Sequence, residues 1–370
     1  MKKLIIIIGV LILSSFHSAN EIVYLFGNLH AHSSYSDGCK KSPNIKTPLE
    51  CYQYASESQN FNFLGISDHN HMLTKNEYHD GLNNEALFNK NSQLIALYGM
   101  EWGKDQVETS GHVIIFNYSN LIGWEPHEFD DQVSETDYKQ LFYKVAAEGN
   151  SFAYLAHPKK MKCFSNLLQN NYDKIIDDAI VGMAVRTSKA QDPNNTYSLE
   201  PNGLFYAYYD KALLLGYHLG AGFDHDNHYS NFGRSTQGRT VVLVKSVNRE
   251  ELIAAMKSMM FYSSDDWNAK VDFKINNKPM GSIIESEGKI EITLKITDDD
   301  NDPVKSIVMV TGFSGYRDGR IDSSLIVTET NTFTRKITLI DNAEHFYYFR
   351  ILQNDGDLII TSPIWCKKKA

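Results

Sequence analysis

The chain has 370 residues, 42% of them hydrophobic, and a formal net charge of -9 at pH 7. That length suits one large domain plus a smaller one. So acidic a chain is ill suited to tracking long nucleic-acid backbones, although a local cluster of cations can still hold one phosphate.

Residues 1–20 read as a signal peptide. Lys2 and Lys3 form a basic start, LIIIIGVLIL is apolar but short for a bilayer span, and SSFHSAN offers small residues for cleavage near Ala19. The expectation is an exported protein, periplasmic or extracellular, with no transmembrane segment in the mature chain. An uncleaved N-terminal anchor is the alternative.

From about Val23 to Lys245, short apolar runs alternate with helix-like segments, the pattern of βα units and a parallel sheet. The strand candidates are IVYLFGNLH, FNFLGISDH, QLIALYGME, HVIIFNY, SFAYLAHP, IVGMAVRT, LGAGFD and TVVLVK. TPLECYQYASES starts a helix with Thr47 as cap and Pro48 in the first turn, and SETDYKQLFYKVAAEG starts another near Ser134 or Asp137 and stops at Gly149. GLFYAYYDKALLLGYH carries an aromatic face suited to packing. From about Val271 the pattern becomes apolar–polar alternation broken by Gly, Asn and Asp, which predicts a small antiparallel β-sandwich. The division is thus 1–20 signal peptide, 21–265 α/β domain and 270–370 β-sandwich accessory domain.

Four cysteines, Cys39, Cys51, Cys163 and Cys366, suit an oxidising compartment. Cys39 and Cys51 bracket a short loop and are candidates for a disulfide or, less naturally without a C-x-x-C pair, for zinc. The acidic loop TDDDNDP reads as a solvated turn, with calcium binding as the alternative; it lacks EF-hand spacing.

The chemistry concentrates at strand ends. NLHAHSSYSDG closes the first strand candidate, SDHN the second, GMEW the third, AHP the fifth and GFDHDNH the seventh, while His112 opens the fourth. In barrels of parallel strands the C-terminal ends face one mouth, so ligands distant in sequence converge there. In an H-x-H pair on extended backbone the middle residue points away, and His30 and His32 project together.

With these motifs the chain resembles the polymerase and histidinol phosphatase (PHP) superfamily of metal-dependent hydrolases over roughly Leu25 to Thr240, nearest its secreted or periplasmic branch. The resemblance implies a distorted (β/α)7 barrel holding two or three divalent ions of zinc, manganese or iron. It implies His30, His32, Glu101 and Asp226 as ligands of a first ion, Glu101, His112 and His157 of a second, and Asp37, His69 and His228 of a third. Asp224 in place of Asp226 is the alternative register of the last motif. A metal-bridging hydroxide would be the nucleophile, and the expected catalytic set is Glu101, His69, Asp68 and Arg186.

Asp68 reads as a residue that orients a ligand histidine. Arg186, Lys159 and Lys160 are candidate anion clamps, with surface solvation as the alternative. His71 and His225 are candidate substrate contacts or general acids, with a structural role as the alternative. His79, His127, His218 and His345 lack a motif and read as ordinary residues. Three divalent ions outweigh three carboxylates, so the expected partner is a small anionic, phosphorylated substrate. The leading reading is an exported phosphoesterase. A carboxylic or carbamate ester hydrolase of the same fold is the second, and a non-catalytic binding module the third.

Overall fold

The computed structural model describes residues 22–40, 42–104, 111–158, 164, 171–187, 204–326 and 331–369. The expected signal peptide, Lys159, Lys160 and Cys163 lie outside the described residues.

The first eleven strands are β1 (Val23–Asn28), β2 (Phe63–His69), β3 (Ile95–Trp102), β4 (Val113–Phe116), β5 (Ile122–Gly123), β6 (Asp131–Gln132), β7 (Phe152–Leu155), β8 (Ile180–Thr187), β9 (Gly220–Asp224), β10 (Arg239–Val244) and β11 (Phe261–Ser264). Six described helices lie among them: α1 (Pro48–Ala55), α2 (Lys75–Phe88), α3 (Tyr138–Ala147), α4 (Lys174–Ala179), α5 (Tyr206–Leu214) and α6 (Arg249–Lys257). Local chemistry sets their starts. Thr47 and Thr74 each form a reciprocal capping box, with Glu50 and Glu77 three residues on, and Asp137 caps α3.

The strands order as β11-β10-β1-β2-β3-β4-β7-β8-β9 within one large sheet. β1-β2-β3 and β7-β8-β9 run parallel, whereas β4 is antiparallel to both β3 and β7, and β10 is antiparallel to β1. The fold is therefore mixed α/β, with a mixed sheet where the alternating pattern predicted a parallel one. β2 and β3 are buried along their whole length, as expected for strands covered on both faces. The sheet curls far enough for β9 to meet β10: the Thr240 hydroxyl donates to the Phe223 carbonyl at 2.9 Å and accepts from the Phe223 N–H at 2.8 Å.

Ten further strands follow: β12 (Lys270–Ile275), β13 (Lys278–Pro279), β14 (Ile283–Ser286), β15 (Lys289–Thr297), β16 (Val304–Phe313), β17 (Asp322–Ile326), β18 (Thr332–Thr338), β19 (Glu344–Gln353), β20 (Leu358–Thr361) and β21 (Ile364–Lys368). β13-β12-β15-β18 form a separate four-stranded sheet, while β20 pairs with β11 and carries the large sheet on through β19 into β21 and β16. The composition change near 265–270 is therefore not a break in the sheet. One core joins the halves: Phe273, Ile292 and Leu294 of the small sheet, Phe349 and Ile351 of β19, and Phe26, Val241 and Leu243 of β1 and β10 pack together. Cys39 and Cys51, the candidate disulfide pair, are both buried and are free thiols. No described helix is long and apolar enough to cross a membrane.

Candidate metal centre

Strand register brings the motif residues together. His69 lies opposite Glu101 in the parallel β2-β3 ladder. Because β4 is antiparallel, its start lies beside the end of β3, with Trp102 opposite Val113. The Ala156 N–H then donates to the His112 carbonyl at 3.0 Å, setting His157 next to His112. His112 thus reaches the same rim as the strand ends although it precedes its own strand.

Beyond β1, Ala31 forms a parallel bridge with Asn227, whose N–H donates to the His30 carbonyl while the His32 N–H donates to the Asn227 carbonyl. In such a bridge the residues flanking each centre project to the opposite side, so His30, His32, Asp226 and His228 share one face. Two backbone features allow this. Asp226 adopts φ +47°, a left-handed conformation tolerated best by Gly, Asn and Asp. Gly38 turns the chain so tightly that a Cβ there would sit 2.1 Å from the His32 carbonyl oxygen.

The outcome is a buried cluster around Glu101. One oxygen, Oε2, lies 3.1 Å from His30 Nε2, 3.3 Å from His32 Nε2 and 3.1 Å from His69 Nδ1. The other, Oε1, lies 2.7 Å from His112 Nδ1 and 3.1 Å from His157 Nε2. Asp226 Oδ1 is 3.4 Å from His30 Nε2 and 3.5 Å from His32 Nε2. On the more open side Asp37 Oδ1 lies 3.2 Å from His228 Nε2 and 3.6 Å from His69 Nε2. Three groups have donor atoms all within 4.8 Å of one another and could each hold a metal ion: His30, His32, Glu101 and Asp226; Glu101, His112 and His157; and His32, Asp37, His69 and His228. Their memberships are those that the family resemblance implies, with His32 added to the third.

Electrostatics and unmet hydrogen bonds both fit divalent ions. Glu101 Oε2 and Asp37 Oδ1 are buried without a hydrogen-bond donor, as is His69 Nδ1 without a partner. Such orphaned atoms are costly unless something else binds them. Burial opposes the charge on Glu101, yet His30, His112 and His69 hold its carboxyl well below the usual range. Burial drives His69 down to about 4 and lowers His32, whereas the neighbouring carboxylates outweigh burial and raise His30, His112 and His228, a local excess of negative charge that a bound cation would offset. The mixture of imidazole and carboxylate suits zinc, manganese or iron.

Asp224 has a different position from Asp226. Its Oδ1 accepts from His30 Nδ1 at 2.8 Å and from the Asp226 N–H at 3.1 Å, and its Oδ2 accepts from the His157 N–H at 2.9 Å. It therefore turns the His30 ring so that Nε2 faces Glu101. With His30 and His157 it also forms a further close trio. Among the described residues Asp68 bonds no histidine directly; it reaches His32 through the Ser36 hydroxyl, which lies 3.5 Å from His32 Nδ1 and donates to Asp68 Oδ1 at 2.6 Å. Its carboxylate accepts from the Ser33 N–H and hydroxyl, the Ser36 hydroxyl and the Tyr98 hydroxyl, and so holds the loop that follows His32.

The other expected contacts divide. His71 stands beside the cluster, its ring centroid 5.4 Å from that of His69, stacked on Trp124 and bonded through Nδ1 to the Gly103 carbonyl at 3.1 Å. His225 instead is fully enclosed against Phe61, with Nε2 2.7 Å from the Gly238 carbonyl and its imidazole pushed down to about 3 by burial. That excludes it as a substrate contact. Arg186 is committed to a bidentate pair with Asp265, Nε to Oδ1 at 2.9 Å, so its fork is not free to clamp an anion. A cation missed in the sequence is Lys40, whose ammonium lies 2.9 Å from Asp37 Oδ2 at the open side. Its three-residue spacing after Asp37 was the available signal.

No family model matches the chain. Two curated relatives are uncharacterized proteins of Chlamydia muridarum and Chlamydia trachomatis serovar D, 25% and 24% identical over 92% of this chain. The match covers 57% of each relative, so the chain spans less than two thirds of their length. Among solved structures, a lesion-specific endonuclease from Pyrococcus furiosus is 15% identical, with TM-score 0.39, over 64% of this chain and 56% of that one. A superoxide reductase from Ignicoccus hospitalis reaches TM-score 0.20 over 28% of this chain and 80% of that one, at 10% identity. At these levels neither likeness carries fold or function across.

Proposed function

We propose that the chain is a metal-dependent phosphoesterase with a PHP-type barrel at its centre, exported after removal of residues 1–20. The observation that carries this reading is Glu101: one buried carboxylate has both oxygens close to ring nitrogens of five histidines from beside the ends of four strands, β1, β2, β4 and β7. A shared carboxylate with opposed nitrogens is the arrangement of a polynuclear ligand set.

Two or three divalent ions there would supply nucleophile formation from water at neutral pH and offset charge developing on the ester. The chain's residues do the rest. Asp224 fixes the tautomer of His30 by accepting from Nδ1. Asp68, through Ser33 and Ser36, holds the loop carrying His32 and Asp37. His71, beside His69 and partly exposed, is placed to protonate a leaving group. Lys40 at the open rim is placed to meet an anionic substrate oxygen.

Carboxylic or carbamate ester hydrolysis is the second reading, favoured by the Trp124 indole stacked on His71, with the buried Trp102 packed behind it. The test is metal analysis of the purified protein followed by assay on paired aryl phosphate mono- and diesters and aryl carboxylic esters. Phosphoester turnover with a KM raised roughly tenfold in Lys40→Ala is expected. Turnover of carboxylic esters alone would reject the phosphoesterase reading.

A further inference from the structure

The loop TDDDNDP is not absorbed by the centre around Glu101. It joins β15 to β16, and two other loops converge on it: residues 265–269 between β11 and β12, and residues 354–357 between β19 and β20. Backbone bonds weave the three together, Asp265 N–H to the Leu358 carbonyl at 3.1 Å and Asn354 N–H to the Pro303 carbonyl at 2.9 Å. Where they meet, one oxygen each of Asp266, Asp298, Asp300 and Asp302 lies within 4.8 Å of the others.

Acidic loops are common without a ligand, and the carboxylates alone decide nothing. The independent observation is a pair of buried amide oxygens. Gln353 is fully buried and donates through Nε2 to Asp298 Oδ2 at 2.8 Å and Asp266 Oδ2 at 3.2 Å, yet its Oε1 has no donor. Asn268, 7% exposed, hydrogen-bonds the Asp300 carboxylate, and its Oδ1 is also buried without a donor. Each amide is thus held at the cluster with an acceptor left over. The nearby ion pairs do not offset the charge: Arg186 is spent on Asp265 and Lys270 on Asp299. Among the described residues, none of the four clustered aspartates pairs with a lysine, arginine or histidine. A hard cation answers both deficits, since calcium takes six to eight oxygens at about 2.3–2.6 Å, including carboxylates and amide carbonyls. Ligand oxygens around such an ion lie up to about 5 Å apart.

We propose that Asp266, Asp298, Asp300 and Asp302, with Asn268 and Gln353, form a calcium site that fastens two loops to the end of β19 where the large sheet passes from β11 into the C-terminal strands. Oxygen-only ligands exclude preference for the imidazole-seeking metals of the Glu101 centre. Ligands drawn from two loops and the end of β19, with one exposed aspartate, favour the larger and geometrically tolerant calcium over magnesium. The proposal is independent of the phosphoesterase reading, and its test reads no hydrolysis.

Trp267 lies between two of the ligands and makes the site observable. The full-length protein, washed with a calcium-selective chelator, is titrated with calcium, magnesium and terbium. Millimolar calcium is expected to raise Tm by about 5 °C, magnesium to leave it unchanged, and terbium to show luminescence excited through tryptophan and displaced by calcium. Trp267→Phe is expected to lose most of that luminescence while keeping the calcium-induced Tm rise. Asp298→Asn/Asp300→Asn is expected to lose both, with the transition-metal content unchanged. An unaltered wild-type Tm in calcium, an equal response to magnesium, or undiminished luminescence in Trp267→Phe would each overturn the proposal. Should the double variant not fold, the wild-type and Trp267→Phe titrations decide alone.

Discussion

The rim around Glu101 and the C-terminal sheet use the same extended backbone to opposite ends. In β15 the side chains alternate strictly, Ile290, Ile292, Leu294 and Ile296 inward and Lys289, Glu291 and Lys295 outward. Polar residues there meet water and cost little. β2 and β3 have no wet face, and Asp68, His69 and Glu101 are enclosed at their ends. Enclosing a charge is expensive unless partners or a metal compensate it. A polar residue in the first setting carries almost no information, whereas one in the second marks chemistry that the fold sustains at a cost.

The contrast is sharpest if each region is broken in turn. Glu101→Gln keeps the volume and removes the charge that both imidazole groups share, so metal content should fall and turnover should drop on the order of a thousandfold. Thermal stability should fall far less. Metal analysis and steady-state kinetics on the folded variant check this, and unchanged loading would break the claim that the rim is a ligand set. Phe349→Ala does the converse. Phe349 is wholly buried in the core between the two C-terminal layers, against Phe273 and Phe333. Its loss should cost about 3–5 kcal/mol in denaturant unfolding while the surviving folded fraction keeps its metal. A variant losing metal in proportion to stability would show that the two regions are not separable.

Asp224→Asn is subtler. The amide can still accept from His30 Nδ1 but no longer stabilises that ring as an anion does, and metal affinity should weaken about 10–100-fold with little change in Tm. Competition against a chelator measures it. If instead one ion were lost outright, Asp224 would be a ligand, and the trio it forms with His30 and His157 would be the true site.

What could be read beforehand follows the same contrast. The eight strands from IVYLFGNLH to TVVLVK appear in place because each is an unbroken apolar run bounded by turn residues. α2 escaped because its segment is polar nearly all round and contains Gly81, although the Thr74–Glu77 capping box announced its start. The direction of β4 was not legible: a four-residue buried strand has no pattern that distinguishes parallel from antiparallel. That single reversal explains why His112 reaches the rim. Strand ends placed the grouping of His30, His32, Glu101 and His157, since ends converge whatever fills the middle. They could not place Arg186 or His225, whose partners Asp265 and Gly238 lie 79 and 13 residues away on elements whose packing no local pattern encodes. Likewise β14, β20 and β21 are too short or too uniformly apolar to announce that they extend the large sheet.

The seam between the regions offers the smallest effect and the clearest sign. His218, without a motif and expected to be ordinary, precedes β9 and joins Asp177 of α4 to Glu344 of β19, Nδ1 to Asp177 Oδ2 at 2.8 Å and Nε2 to Glu344 Oε1 at 3.0 Å. Its ring also abuts the Trp365 indole, and the Tyr172 hydroxyl donates to the same Asp177 oxygen. Burial disfavours the imidazolium, but the two carboxylates outweigh it and raise its pKa to about 9. A group raised on folding contributes its full stability below the unfolded value near 6.5 and loses it as pH climbs through the folded one. The wild type should therefore lose roughly 1–3 kcal/mol between about pH 6.5 and 9 from this group. His218→Gln, which cannot titrate, should be less stable at pH 6 and show a flatter profile across that window. Parallel profiles for the two proteins would mean that the seam is held by the shared apolar core, and that the charged triad merely decorates it.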